Sequence, residues 1–206
     1  MDGQKPIDQP EYYQQQAMKA DAKLRAGGLP AQIIAPWPNP LLFVRVPGEP
    51  RGNPRKVTSK IIKGGRVVGT QTHQDPNAVI WKATFQQYFE TAMKAIGLQD
   101  QPLHGLCAIH IIAWKMCPRS TWLKNKERPE IFSDQRPDTD NVTKLVKDAG
   151  EGVLYLDDKQ VAIDQCVKLR AKQGEPARVE IRFYELPESP SWMASAGVVT
   201  PMEEKP

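Results

Sequence analysis

The spacing of apolar positions divides the chain into strands and two helices. Leu41-Leu-Phe-Val-Arg-Val46 is a short apolar run of strand composition. After Asp75-Pro76, a helix-entry pair, the residues Trp81, Phe85, Tyr88, Phe89, Ala92 and Ile96 recur at helical spacing and predict a helix from about 75 to 96. From Leu106 to Met116 both alternating sets are apolar apart from His110 and Lys115, as a strand covered on two faces requires. Val142, Leu145, Val146 and Ala149 fit i, i+3, i+4, i+7 and predict a second helix. Val161, Ile163, Val167 and Leu169 alternate with polar residues, as do Val179, Ile181 and Phe183, so two half-exposed strands, paired with each other, are expected. The order β, α, β, α, β, β predicts a two-layer α/β (α+β) domain, a mixed sheet with helices packed on one face.

Proline sets the boundaries. The first 40 and last 20 residues hold ten of the nineteen prolines. The clusters Pro36, Pro38, Pro40 and Pro187, Pro190 predict an N-terminal extension over 1–40, a packed domain over 41–186 and a disordered tail over 187–206. Within the extension, Glu11 to Arg25 has good helix formers but a sparse apolar face, so a loose helix or none is expected. No internal repeat is visible. No apolar run approaches the ~20 residues that span a bilayer, which argues against a membrane protein. The start of the chain lacks a signal peptide's basic and apolar regions. Three scattered cysteines, Cys107, Cys117 and Cys166, fit neither a disulfide framework nor a zinc cluster, and a reduced, cytoplasmic protein is expected.

The net charge of +4 hides an asymmetry, because the middle of the chain carries +6 and the ends sum to −2. Between Pro50 and Gln74 there are six bases, Arg51, Arg55, Lys56, Lys60, Lys63 and Arg66, and no acid. A Gly/Pro-punctuated basic segment, with a hairpin turning at Gly64-Gly65, has the composition for contact with a phosphate backbone. A second basic stretch, Arg119, Lys124, Lys126 and Arg128 around Trp122, either adds phosphate contacts and a stacking ring or is a disordered surface loop.

The acids cluster around the second helix: Arg136-Pro-Asp138-Thr-Asp140-Asn141-Val-Thr-Lys144, then Asp148, then Gly152-Val-Leu-Tyr-Leu-Asp157-Asp158-Lys159-Gln160. In an extended segment Asp138 and Asp140 point to one side and converge at the helix start. Two carboxylates ~4 Å apart at an effective dielectric of about 20 repel by roughly 4 kcal/mol, so a cation such as Lys144, Arg136 or a metal has to offset them. A few carboxylates completed by water suit Mg²⁺. The competing structural reading makes these acids helix caps and a turn, with Lys144 and Asp148 as a surface ion pair. An EF-hand is excluded, because Val142 and Thr143 stand where it needs an Asn or Asp and a Gly. P-loop, dinucleotide and serine-hydrolase motifs are absent, and the histidines His73, His104 and His110 pair with no cysteine nucleophile.

R-P-D-x-D-N-x-x-K, an aliphatic helix and G-V-L-Y-x-D-D-x-Q-V together resemble the RusA family of Holliday junction resolvases, small endodeoxyribonucleases common in phages and prophages. The resemblance covers about 41–186, with Pro47-Gly-Glu-Pro-Arg-Gly-Asn-Pro-Arg55 matching the family's basic loop less closely. It implies a two-layer α/β fold and a homodimer that cuts branched DNA, the four-way junction, with Mg²⁺, or with Mn²⁺ as a substitute. It makes Asp138, Asp140 and Asp158 the catalytic metal ligands and Lys144 the essential lysine, with Asn141 and Asp157 as accessories. Arg51, Arg55, Lys56, Lys60, Lys63, Arg66 and Arg136 are then the DNA-binding cations. A non-catalytic DNA-binding accessory protein and a general branched- or single-strand DNA nuclease are the alternatives.

Overall fold

The computed structural model describes residues 40–52, 57–73 and 75–187, together with Gln15, Gln16, Met18, Lys19 and Ala22. The extension over 1–40, its helix over 11–25 and the tail over 187–206 otherwise lie outside the described residues. Over the described residues from 40 to 187, seven strands and two α-helices follow one another: β1 (Leu42–Pro47), β2 (Val57–Lys63), β3 (Arg66–His73), α1 (Pro76–Ala95), β4 (Cys107–Lys115), β5 (Ile131–Phe132), α2 (Thr139–Gly150), β6 (Val161–Arg170) and β7 (Arg178–Glu185). The fold is α+β, with a five-stranded mixed sheet in the order β1-β7-β4-β6-β5 and a separate two-stranded ribbon, β2-β3.

β4 sits at the centre because both of its faces are apolar. It pairs parallel to β6, which sets Ile111 opposite Cys166, and antiparallel to β7, which sets Ile111 opposite Ile181. The expected β6–β7 pair therefore does not form: alternation reports which face a residue uses, not which strand lies beside it. β7 is also more buried than its alternation implies. Glu180 in its polar row is buried and neutralised, one oxygen accepting from Arg45 Nε of β1 and Arg178 Nε, both at 3.0 Å. His110, on the same face of β4, is fully buried.

Both helices lie on the other face, where Leu42, Val44, Val46, Ile109, Ile111, Val179, Ile181 and Phe183 meet Phe85, Phe89, Val142, Leu145 and Val146. α1 begins at Asp75, whose carboxylate accepts from Asn77 N at 2.8 Å with Pro76 at N1. It ends at Gly97, φ +77°, where the Leu98 N–H bonds to the Met93 carbonyl in a left-handed cap. The loop after β4 is ordered: it makes a single 3₁₀ turn, Arg119–Thr121. Gln173 pins it by accepting from Leu123 N (2.9 Å) and donating to Leu123 O (3.2 Å). Among the described residues no helix is long and apolar enough to cross a membrane.

Candidate active site

α2 places the acids. Its buried stripe, Val142, Leu145, Val146 and Ala149, fixes the rotation of the helix against the sheet, so Asp140, Lys144, Lys147 and Asp148 face outward into one cleft. Helical conformation begins at Thr139, with Asp138 extended at the N-cap. The extended-segment argument for bringing Asp138 and Asp140 together therefore does not apply: Asp140 is already in the first turn, where residues two apart point in different directions. Asp138 lines a neighbouring cleft, on the other side of the same helix end. Its carboxylate makes no capping hydrogen bond, so the helix-cap reading fails for this acid. Asp140, in the first turn, lies where the helix dipole favours negative charge.

The first cleft, about 490 Å³, is lined by Thr139, Asp140, Thr143, Lys144, Lys147, Asp148, Asp158, Asp164 and Cys166. Lys147 Nζ lies 3.5 Å from Asp164 Oδ2, whereas no ion pair among the described residues involves Asp140, Lys144 or Asp158. Burial pushes the Cys166 thiol up to about 11, so it stays protonated at neutral pH and the cleft offers oxygen donors rather than thiolate.

Asp158 owes its place to its neighbours. Tyr155 is buried and its hydroxyl donates to the Lys147 carbonyl at 2.7 Å. A Cβ on Gly150 would lie 2.9 Å from that hydroxyl oxygen, so glycine is required where the ring closes over the helix end. Asp157 caps the short 3₁₀ turn Asp158–Gln160: its carboxylate accepts from Lys159 N at 3.0 Å and meets Lys159 Nζ at 3.0 Å. The Lys159 backbone N–H, helped by the ammonium, holds Asp157 below the ordinary carboxylate range. Buried Gln160 accepts from Leu156 N (2.8 Å) and Asp157 N (3.0 Å) and donates to the carbonyls of Leu103 and Gly105, both at 2.9 Å. Asp157 is thus held as a cap and lines neither cleft, while Asp158 opens into the first.

The second cleft, about 430 Å³, has a lining of mixed charge, three cations and three carboxylates. Asp138 and Asn141 line it with Arg51, Arg136, Lys115, Glu49, Asp75 and Gly52 among others. Lys115 Nζ donates to the Arg136 carbonyl at 2.8 Å, and Lys168 Nζ donates to the carbonyls of Gln135 and Pro137 at 3.0 Å. These two lysines brace the turn that delivers Asp138. Gly52 presses on the same helix end, where an added Cβ would lie 2.7 Å from Asn141 Cβ and 3.1 Å from Pro137 Cβ. Lys60, Lys63 and Arg66 are exposed on the β2–β3 ribbon, apart from both linings. Arg55 and Lys56 lie outside the described residues. Asp164, Lys147 and Lys168 stand out in no sequence motif, and Gln160, part of the D-D-x-Q-V motif, had no role assigned to it. For Gln160 a signal existed, because Asp157-x-x-Gln160 has capping-box spacing.

Among the described residues no three His, Cys, Asp or Glu side chains form a ready metal-ligand cluster. The donor set still fits Mg²⁺, which keeps several waters and needs only one or two protein carboxylates beside substrate phosphates.

Carboxylates and a lysine around one helix end, beside a second cleft that holds Arg51, Lys115 and Arg136 and a cationic ribbon, form the layout of an enzyme that hydrolyses a polyanion. The sequence profile of the family described as endodeoxyribonuclease RusA matches residues 47–184, about two-thirds of the chain, and the chain belongs to that family. It is accordingly an endodeoxyribonuclease, a hydrolase of DNA phosphodiester bonds. No curated protein matches the chain.

Proposed function

We propose that the protein is a Mg²⁺-dependent, structure-specific endodeoxyribonuclease that resolves four-way DNA junctions by paired phosphodiester hydrolysis, acting as a homodimer in recombination and repair. Residues 41–186 form the endonuclease domain, with 1–40 and 187–206 outside it. The observation that carries the reading is a division of labour: Asp157 and Gln160 do the capping, which leaves Asp158 to share a cleft with Asp140 and Lys144.

Asp140 and Asp158, which share the first cleft, would hold the cation, with Asp138 contributing from the neighbouring cleft across the helix end. When bound, Mg²⁺ (or Mn²⁺) supplies Lewis-acid activation of a water and charge neutralisation at the leaving 3′ oxygen. Lys144, one turn along from Asp140, stabilises charge that develops on the phosphoryl oxygens. Arg51 and Arg136 grip the flanking phosphates, and the positive end of α2 points toward them. The products are 5′-phosphate and 3′-hydroxyl ends.

The test incubates the protein with a labelled four-way junction and matched duplex, single-strand and flap DNAs, with Mg²⁺ or with EDTA. Symmetrical paired nicks on the junction alone, lost with EDTA, are expected. Asp140→Asn should bind DNA at least as well as the parent, since a negative charge is removed, and should not cut. Full cleavage by that variant refutes the site, and equal cutting of flaps or single strands refutes junction specificity.

A further inference from the structure

The β2–β3 ribbon carries a feature that phosphate binding does not explain. Four large aliphatic side chains, Ile61, Ile62, Val67 and Val68, are 39%, 63%, 56% and 58% exposed. The strands are joined by Gly64 and Gly65 at φ +57° and +75°, a tight turn that suits their twist. Ile61 pairs with Gly69 and Ile62 with Val67, so Val68 is the extra residue of a β-bulge. A lone two-stranded ribbon is marginal in water, and one that also exposes four aliphatics near its tip is built to meet something.

The charge identifies the partner. Lys60, Lys63 and Arg66 interleave with the aliphatics, and no acid occurs from Pro50 to Gln74, so this surface repels a copy of itself and attracts a polyanion. Position agrees. Arg51 and Gly52 before the ribbon and Asp75 after it all line the cleft that holds Asp138, so the ribbon rises from the rim of the active site. Strands of seven and eight residues reach roughly 23 Å, and a two-stranded ribbon fits the ~12 Å major groove.

We propose that Ile62 and Val67, paired at the tip of the ribbon, contact exposed base faces at the crossover of branched DNA and thereby set the preference for a junction over a duplex. The proposal rests on the four-way junction as substrate. Cations read phosphates, which every DNA shape offers, so they give affinity without selectivity. Aliphatic wedges need a base step that opens. In a duplex, stacking has to be broken to admit them, whereas at a crossover the continuous stack is already interrupted.

The test uses the full chain with Asp140→Asn, so that DNA is bound but not cut, with and without Ile62→Thr plus Val67→Thr. Threonine keeps the β-branched shape, and the unfolding midpoint checks that the fold is unchanged. Junction and duplex affinities are titrated, with 2-aminopurine at the crossover reporting unstacking. The pair should lower junction affinity tenfold or more, abolish the fluorescence rise, leave duplex affinity within twofold and leave the salt slope intact. A double variant that keeps both the junction preference and the fluorescence rise overturns the proposal while the resolvase reading stands. So does a shift to monomer in sedimentation, which would make these aliphatics an interface between copies. Equal affinity of the parent protein for junction and duplex overturns both.

Discussion

At the scale of the residue, Gln160 has the most to lose. Its amide satisfies two backbone N–H groups and two carbonyls, and Gln160→Ala strands all four. The expected cost is about 2 kcal/mol, a fall in Tm of roughly 4–8 °C. Cleavage should fall further than DNA affinity, because the turn that presents Asp158 loosens while the cations stay in place. Single-turnover rates set against binding titrations separate the two. Cys166 makes a pH prediction: an unfolded thiol ionises near ~8.5, whereas burial keeps the folded one protonated up to about 11. The unfolded state therefore binds fewer protons across that window, and stability should decline as pH rises from 8.5 to 11. Urea midpoints at pH 8 and pH 10, compared with those of Cys166→Ala, measure its share. The acids themselves were legible as a cluster, but spacing cannot say which of Asp157 and Asp158 caps. That was decided by the backbone N–H of Lys159 and the amide of Gln160.

Elements differ in how plainly the sequence announces them. The two helices and the central strand were readable because burial imposes a period on each, 3.6 for α1 and α2 and an apolar run for β4. The Gly64-Gly65 turn was readable from its chemistry. Strand neighbours were not, since the alternation of β6 and β7 is satisfied equally beside each other or on either side of β4. The burial of β7 was also hidden, because Glu180 reads as solvent-facing until Arg45 and Arg178 are seen to neutralise it. Two predictions belong to the ribbon and its root. Lys60→Glu with Lys63→Glu should weaken binding to every DNA shape and flatten the salt dependence by about 0.9 per lost phosphate contact, measured from log affinity against log salt. Gly52→Ala adds a Cβ 2.7 Å from Asn141 Cβ. Prising the loop off α2 should slow cleavage by about 10- to 100-fold, because misplacement of order 1 Å has that effect on a positioned reaction. Unchanged cleavage by this variant would show that the loop gives way without moving the site.

At the scale of the whole molecule, the argument turns on symmetry. One chain supplies one set of Asp138, Asp140, Lys144 and Asp158, and a four-way junction is resolved only when two opposed strands are cut. In the proposed homodimer, closed twofold symmetry would provide two sites facing opposed strands of a junction that is itself nearly twofold. Nothing in a single chain's periodicity encodes that partnership, which is why the sequence could imply a dimer only through resemblance. Mixing supplies a direct readout. Parent and Asp140→Asn proteins, refolded together in equal amounts, should distribute so that about a quarter of dimers carry two working sites and about half carry one. On a supercoiled cruciform plasmid, dimers with two sites give linear product and dimers with one give nicked circles. Linear product should therefore drop to about a quarter while nicked circles accumulate. If linear product falls only by half, in proportion to active chains, each chain is cutting alone, and the paired-incision mechanism is wrong even if every carboxylate has been assigned correctly.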